Sequence, residues 1–447
     1  MKGLAKIKDL LENPRSVRIL AFVLILAYSY AINWSYRNVE TSLFEYQGLR
    51  WSPPAIELQV LGYVLVALAF FFMPTKLERP SNLAAWVTFV TFVVPMCFFP
   101  FHVTTLERME MLNLVIPVIA AFGVYVALLR LPPIGVNPIP CSRRGFTLLL
   151  LGVIVVFTFM VAAMNGFRLE LSLEDAYTRR LEAREIATGG SFGGYALAWL
   201  GGSLAPLAIT YGVYRKLPIL IVAGVVGLLA IFSFSGTKQS LFTPLIMILL
   251  FLLVRKGRAT FNLLIPAGAI CLILLSAFMW SKMNNPILSE SFTRRLIVSK
   301  GVSTTFYYEQ FRNDPKMMRD SIFASLVGLP PVTSKARTVG MRYGFGENDN
   351  YNANAWASMF GNFGYPGLFL VSIVAAVILR IVDGMARHGN FEVLSVFAAF
   401  FAIVWGEQAI ETTFLSSGVM VSLVLLLMLS GVRNRESSEV RQQPAHA

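Results

Sequence analysis

The sequence predicts an all-α integral membrane protein with about twelve transmembrane helices. Three observations carry that prediction. Charged residues fill only 14% of the 447 positions while apolar ones fill 56%, the mean hydropathy is +0.63, and the apolar residues come in blocks. A globular domain normally carries about a quarter charged residues, and a helix needs about 20 apolar residues to cross a hydrocarbon core of about 30 Å. The short alternating segments of an outer-membrane barrel are absent.

The predicted spans are 17–34, 55–73, 83–101, 112–129, 145–164, 195–213, 218–235, 241–254, 259–280, 364–381, 393–412 and 415–432. The first follows a basic start without a small-residue cleavage site, which reads as an uncleaved first helix. The eighth is short and must recruit flanking residues or thin the bilayer around it. Orientation follows from the short connections. With the N-terminus inside, every inner segment carries cations: Arg15 and Arg18, Lys76 and Arg79, Arg130, Arg143 and Arg144, Arg215 and Lys216, Arg255, Lys256 and Arg258, Arg380 and Arg387, then Arg433 and Arg435. That is the positive-inside pattern, and an even number of spans places both termini in the cytoplasm.

The spans divide the chain into a membrane domain of nine helices (1–280) with a small outer loop at 165–194, a large periplasmic loop (281–355) between spans nine and ten, three C-terminal helices (356–432) and a disordered cytoplasmic tail (433–447). The small loop reads as a helix over 172–187. In the large loop, 292–300 and 304–312 read as helical and Pro315 breaks the pattern, whereas 328–354, rich in Gly, Pro and Asn, reads as irregular. No internal repeat is evident.

The formal charge of +13 does not point to nucleic acid, because the cations are spread over short loops with no basic stripe or interleaved stacking aromatics. The three cysteines give no disulfide framework and no metal-ligand spacing. The long outer loops hold no histidine, and no Ser-His-Asp or Cys-His arrangement, phosphate-binding glycine loop or HExxH motif occurs.

Four features remain. Ten cations lie in the large loop, Arg294, Arg295, Lys300, Arg312, Lys335, Arg337 and Arg342 among them. Singly each reads as part of a solvated surface; as a group, with six arginines, they suit the oxygens of an anionic ligand approaching from the membrane. Lys238, in the tight turn Ser235-Gly236-Thr237-Lys238-Gln239-Ser240, reads equally as an interfacial lysine reaching to water or as part of an anion site at a helix start. The Asn-rich run from Gly346 to Trp356 offers neutral partners for sugar hydroxyls and the acids Glu347 and Asp349, or turn chemistry alone. Two acids in one loop are thin support for a metal. Finally, Glu407 and Glu411 lie four apart, on one helical face at the outer end of the eleventh span, either functional or paired with a loop arginine.

The turn at Ser235–Ser240, the loop residues Arg294, Arg295, Tyr307 and Tyr308, and Asn352-Ala353-Asn354 ahead of Gly361-Asn362-Phe363-Gly364-Tyr365-Pro366-Gly367 resemble the O-antigen and oligosaccharide repeat-unit polymerases of the Wzy type. Lys238 departs from the arginine commoner in that turn. The resemblance implies a GT-C-like architecture in the bacterial inner membrane and glycosyl transfer on the periplasmic face. Its substrate is an undecaprenyl-diphosphate-linked oligosaccharide, its other partners are membrane lipids and a chain-length regulator, and no cofactor or metal is expected. The implied diphosphate ligands are Lys238, Arg294, Arg295, Arg337 and Arg342. The sugar ligands are Arg179, Arg180, Tyr307, Tyr308, Asn352 and Asn354, and Glu347, Asp349 and Glu411 compete as catalytic base. An O-antigen ligase is the alternative within the same class, against which the loop's lack of histidine counts. A lipid-linked oligosaccharide flippase is the alternative outside it, against which the lack of repeats counts.

Overall fold

The structure, a computed structural model, describes residues 13–103, 106–173, 175–186, 192–321, 324, 328, 330, 332–343 and 350–432. Among these residues nine helices are long and apolar enough to cross a membrane: α1 (Pro14–Gln47), α3 (Pro80–Val103), α4 (Arg108–Arg130), α5 (Arg143–Met164), α7 (Phe192–Arg215), α8 (Pro218–Ser235), α9 (Lys238–Lys256), α10 (Phe261–Met283) and α14 (Tyr365–Ala386). Three shorter apolar helices, α2 (Ile56–Phe71), α15 (Phe391–Trp405) and α17 (Val419–Ser430), coincide with the remaining predicted segments. Helices of this number and composition make a multi-pass membrane protein. The small outer loop forms α6 (Ala176–Ile186). The large loop forms a π-helical segment (Ser289–Val298) that runs into α11 (Ser299–Phe311), then α12 (Lys335–Tyr343) and α13 (Ala355–Phe363), and α16 (Ile410–Leu415) lies between α15 and α17.

The apolar helices sort by burial. α3 and α15 pack on each other at the centre, and α15 is buried from Val393 to Trp405. A helix apolar on all sides belongs inside a bundle or in lipid, and here it is inside. The outer helices α5, α9 and α10 instead expose Leu148, Val155 and Phe159, Leu245 and Leu249, and Leu274 and Phe278.

The segments expected on one side of the membrane gather at one end of the bundle. There arginines bond carbonyls at helix C-termini, whose last carbonyls lack partners within the helix, and in the connections that follow them. Arg18 donates to the Phe71 carbonyl (3.0 Å), Arg130 to Phe72 (2.9 Å), Arg79 to Leu131 (2.8 Å), Arg258 to Leu77 (3.1 Å) and Arg380 to Pro132 (2.8 Å). Both long loops sit at the opposite end, where Arg312 pairs with Glu110 of α4.

The eighth segment recruits flanking residues, as expected: α9 begins at Lys238 and spans 19 residues. Four other expectations need correction. The eleventh segment stops at Trp405 rather than 412, at Gly406, whose missing Cβ makes room for the Lys300 side chain. Glu407 is therefore in a turn and Glu411 on a separate helix, so the two share no helical face. The two loop helices expected at 292–300 and 304–312 are one continuous run. The irregular stretch contains α12, since Ser334 Oγ accepts from the Arg337 backbone N–H (3.2 Å) and Asp320 accepts from the Lys335 N–H (2.8 Å), a side-chain cap of the usual kind.

At the arginine-rich end, Gly384 of α14 lies directly against the Ile134 carbonyl. Gly384→Ala must push the two apart, at a cost of about 1–3 kcal/mol. A thermal melt in detergent should show a lower Tm; an unchanged Tm would mean that this contact is not tight.

Candidate functional site

Two glycine contacts shape the loop end. α8 closes at Gly236, whose φ of 59° is left-handed and whose missing side chain makes room for the Ala176 carbonyl of α6. Any Cβ would fail there on both counts. The small outer loop is thereby pinned over the turn, and Thr237 starts α9 with Lys238 as its first residue. A cation at a helix start opposes the helix dipole, so Lys238 is not placed there for helix stability. Its Nζ donates to Glu290 Oε2 of the π-helical segment (2.9 Å), and both side chains are about one-third exposed.

Between α9, the π-helical segment and the end of α15 runs a crevice. Lys238, Arg295 and Glu407 line it together with Phe242, Ile246, Phe292 and Ile403. Ile246 lies eight residues into α9 from Lys238, about 12 Å at 1.5 Å per residue, so a charged rim passes into an apolar slot along the helix. Arg295 makes no hydrogen bond or ion pair among the described residues. Arg294 turns the other way: its Nη1 donates to Gln47 Oε1 (2.6 Å) and its guanidinium lies 4.7 Å over Phe44. Neighbours in sequence thus serve different purposes, one facing the crevice and one fastening the loop to α1.

Behind the crevice stands Lys300. It is 1% exposed and its Nζ has no hydrogen-bond partner. Burial pulls this ammonium down to about 8, against the opposing effect of Glu407. Burial also pushes the Glu407 carboxyl up from the usual carboxylate range, while Lys300 and Arg295 hold it back. In this poorly solvated place Lys300 and Glu407 each favour the charged form of the other, and Arg295 favours the charged form of Glu407.

A second buried polar cluster lies deeper under the loop. Lys335 Nζ donates to Asp320 Oδ1 (2.8 Å) and Asn362 Oδ1 (2.8 Å) and stands 3.6 Å from Glu411 Oε1, which also accepts from Ser358 Oγ (2.9 Å). The partner of Glu411 is thus a lysine rather than the expected loop arginine. This cluster ties α12, α13 and α16 together.

Of the other residues expected in the site, none of those described lines the crevice. Tyr307 is buried and donates to the Tyr351 carbonyl (3.0 Å), and Tyr308 shares a hydrogen bond with Tyr365 (3.3 Å). Asn354 caps α13, its Oδ1 accepting from Ala357 N–H (2.9 Å) and its Nδ2 donating to Thr304 Oγ1 (2.7 Å) and the Lys300 carbonyl (3.0 Å). That spends its whole side chain on the protein. Asn352 and Arg337 are exposed, and exposed Arg342 donates to Gln310 (2.9 Å). Arg179 is buried under the small loop, donating to the Ser172 carbonyl (2.6 Å) and stacked 5.2 Å over Phe232, with the half-buried Arg180 beside it in the chain. Glu347 and Asp349 lie outside the described residues. Among those described, no group of three or more His, Cys, Asp or Glu could hold a metal ion.

The sequence put Lys300 and Lys335 among the loop cations suited to an anion and left Glu407 functional or paired, but none of the three was among the implied site residues. A usable signal existed: Lys300 sits among Ile297, Val298, Val302 and Phe306, a setting that buries its stem. Comparison with protein-family models, with curated proteins and with solved structures finds no match for this chain.

Removing one partner of a buried ion pair costs about 3–5 kcal/mol, whereas apolar replacement of both can be neutral. Lys335→Met should therefore lower the melting temperature sharply, and adding Asp320→Leu should restore part of it. If the double variant is no better than the single one, the pair is not what stabilises the loop.

Proposed function

We propose that this protein polymerises undecaprenyl-diphosphate-linked oligosaccharide units into a surface polysaccharide, as an inner-membrane glycosyltransferase of twelve spans. Both termini face the cytoplasm and the loop end faces the periplasm. The observation that carries this reading is the crevice whose cationic rim, Lys238 and Arg295, sits above an apolar slot. A polyprenyl diphosphate has that same order of parts, two phosphates on a hydrocarbon tail, and cations at its head with carbon below suit it. The arginine lining of the opposite end agrees with the positive-inside rule.

In the proposed reaction an acceptor sugar hydroxyl attacks the anomeric carbon of the donor glycan. A C–O bond forms there, the bond from that carbon to the diphosphate oxygen breaks, and the electron pair leaves with the lipid diphosphate. Lys238 and Arg295 offset the negative charge that develops on the leaving group. Lys238 has three donors and gives one to Glu290, so two remain for phosphate oxygens. Glu407 at the rim takes the hydroxyl proton, and its raised pKa suits a general base better than an ordinary carboxylate would. The crevice encloses only about 30 Å³, one water's share of liquid volume. Substrate therefore enters by parting α9 from the π-helical segment, and the exposed Lys238–Glu290 pair is the contact that opens.

The decisive experiment is reconstitution of the pure protein with lipid-linked repeat units. Long glycan on lipid diphosphate is the expected product; a deletion strain should accumulate single repeat units on the surface lipid. Loss of all surface-linked glycan in that strain would favour a ligase or a flippase instead. Arg295→Ala should lower the rate about 100-fold or more, and Arg342→Ala should leave it near wild type. With cations in the leaving-group role, EDTA should not slow the reaction, and strong inhibition would restore a metal-binding role for Glu347 and Asp349.

The pH profile tests the base. A carboxylate works as a base only when deprotonated, so the rate should fall on the acid side at a pH above the ordinary carboxylate range. Lys300 stabilises the charged form of Glu407. Lys300→Met removes that support and should move the acid limb to still higher pH; a stationary limb would remove Glu407 from the role.

A further inference from the structure

A separate cleft opens at the loop end between α1, α2 and α3. Tyr30, Asn33, Trp34, Arg37 and Asn38 line it from α1. They stand at i, i+3, i+4, i+7 and i+8, one continuous helical face. The helix widens to a π-turn over Tyr36–Glu40, within that face, a feature frequent at functional sites. Gln59 and Tyr63 of α2, four apart, form the opposite wall.

The back of the cleft is fixed by polar and ring contacts. His102 of α3 is 2% exposed, shares a hydrogen bond with Asn33 Oδ1 (2.8 Å), and stacks on Trp51 at 4.3 Å. Trp51 comes from the connection between α1 and α2. That connection is held on one side by Tyr36 Oη donating to the Arg50 carbonyl (2.9 Å) and on the other by Ser52 N–H donating to the His102 carbonyl (3.0 Å). In contrast to this braced wall, the side-chain polar groups of Tyr30, Arg37, Gln59 and Tyr63 have no hydrogen-bond partner among the described residues. The rings of Tyr30 and Trp34 are 66% and 40% exposed. The cleft holds about 210 Å³, several times the roughly 30 Å³ of one water.

We propose that this cleft is a saccharide-binding site. Phenol, amide and guanidinium groups with unspent hydrogen bonds match sugar hydroxyls, and the exposed rings offer faces for the C–H side of a pyranose. A phospholipid headgroup would call for several cations around the phosphate, and the lining holds one, Arg37, with no acidic residue. The place of the site follows from the contact beneath it. Glu40, at the end of the π-turn that carries Arg37, accepts a hydrogen bond from Ser289 at the start of the π-helical segment, whose Arg295 lines the crevice. The cleft and the crevice thus flank one helix–helix contact. Resting on the polymerase reading, the cleft takes the acceptor glycan while the crevice takes the donor diphosphate.

The test uses the full chain in phosphatidylcholine nanodiscs. The probe is lipid-free oligosaccharide, released by mild acid from polyprenyl-linked material of the producing cells. Saturation-transfer NMR should show saturable binding, weakened about tenfold by Gln59→Leu or Trp34→Ala, the loss of roughly one hydrogen bond or ring contact. Tyr63→Phe, which keeps the ring and removes only the hydroxyl, should weaken it less without altering the melting temperature. Arg295→Ala should leave binding unchanged. Absence of saturable binding, or equal binding by all variants, would overturn the proposal. So would displacement of the glycan by phosphatidylglycerol that disappears in Arg37→Gln, since the cleft would then hold a lipid headgroup. Glycan binding by a protein that extends no chains would support the cleft and overturn the polymerase reading alone.

Discussion

The ammonium of Lys300 sits where the large loop, the end of the central helix α15 and the outer part of α3 come together, and it has no hydrogen-bond partner there. Taking an ion out of water costs several kcal/mol, so the surroundings must answer the charge. Glu407 does so from the turn that follows α15, where Gly406 leaves room for the lysine side chain. The helix ends there, and Glu407, outside it, lines the same crevice as Arg295 and Lys238. Burial raises the pKa of the Glu407 carboxyl, and the buried cation together with Arg295 favours its charged form.

That arrangement requires the loop to lie on the bundle rather than above it. α11 is buried along most of its length, and Gly301 lets it approach Phe99 of α3 closely. Two polar fastenings hold the sheet of loop helices down: Arg294 on Gln47 of α1, and Lys335 among Asp320, Asn362 and Glu411. Cations that would be ordinary surface charge in a solvated loop become interior residues. The loop end therefore has two kinds of cation, those bonded within the fold, such as Arg294 and Lys335, and those that line the crevice, Lys238 and Arg295.

The ligand-facing groups divide in the same way by chemistry. On one side of the contact between Glu40 and Ser289, charged groups lie over an apolar slot; on the other, neutral donors and exposed rings surround a single guanidinium. An anion on a hydrocarbon tail and a hydroxyl-rich glycan are the two halves of a lipid-linked sugar, and on the proposed reading the two clefts receive two such molecules side by side.

Apolar blocks, cation placement and turn residues are local signals, and they determined the apolar helices, their alternation between the two ends and the sharp Gly236 turn ahead of Lys238. A run of about 20 apolar residues has few places to go, so its sequence alone suffices. The sequence also marked Arg295 and Lys238, since a cation in an otherwise neutral turn or an arginine pair stands out. It did not separate Arg294 from Arg295, send Glu407 and Glu411 to different partners, make Asn354 a helix cap, or assemble the aromatic cleft from three helices and a linker. Those outcomes depend on which side chains meet across long stretches of chain, as Lys300 meets Gly406 and Asn33 meets His102. The energy of a buried charge or a shared hydrogen bond is set by that meeting, and only the tertiary structure decides it.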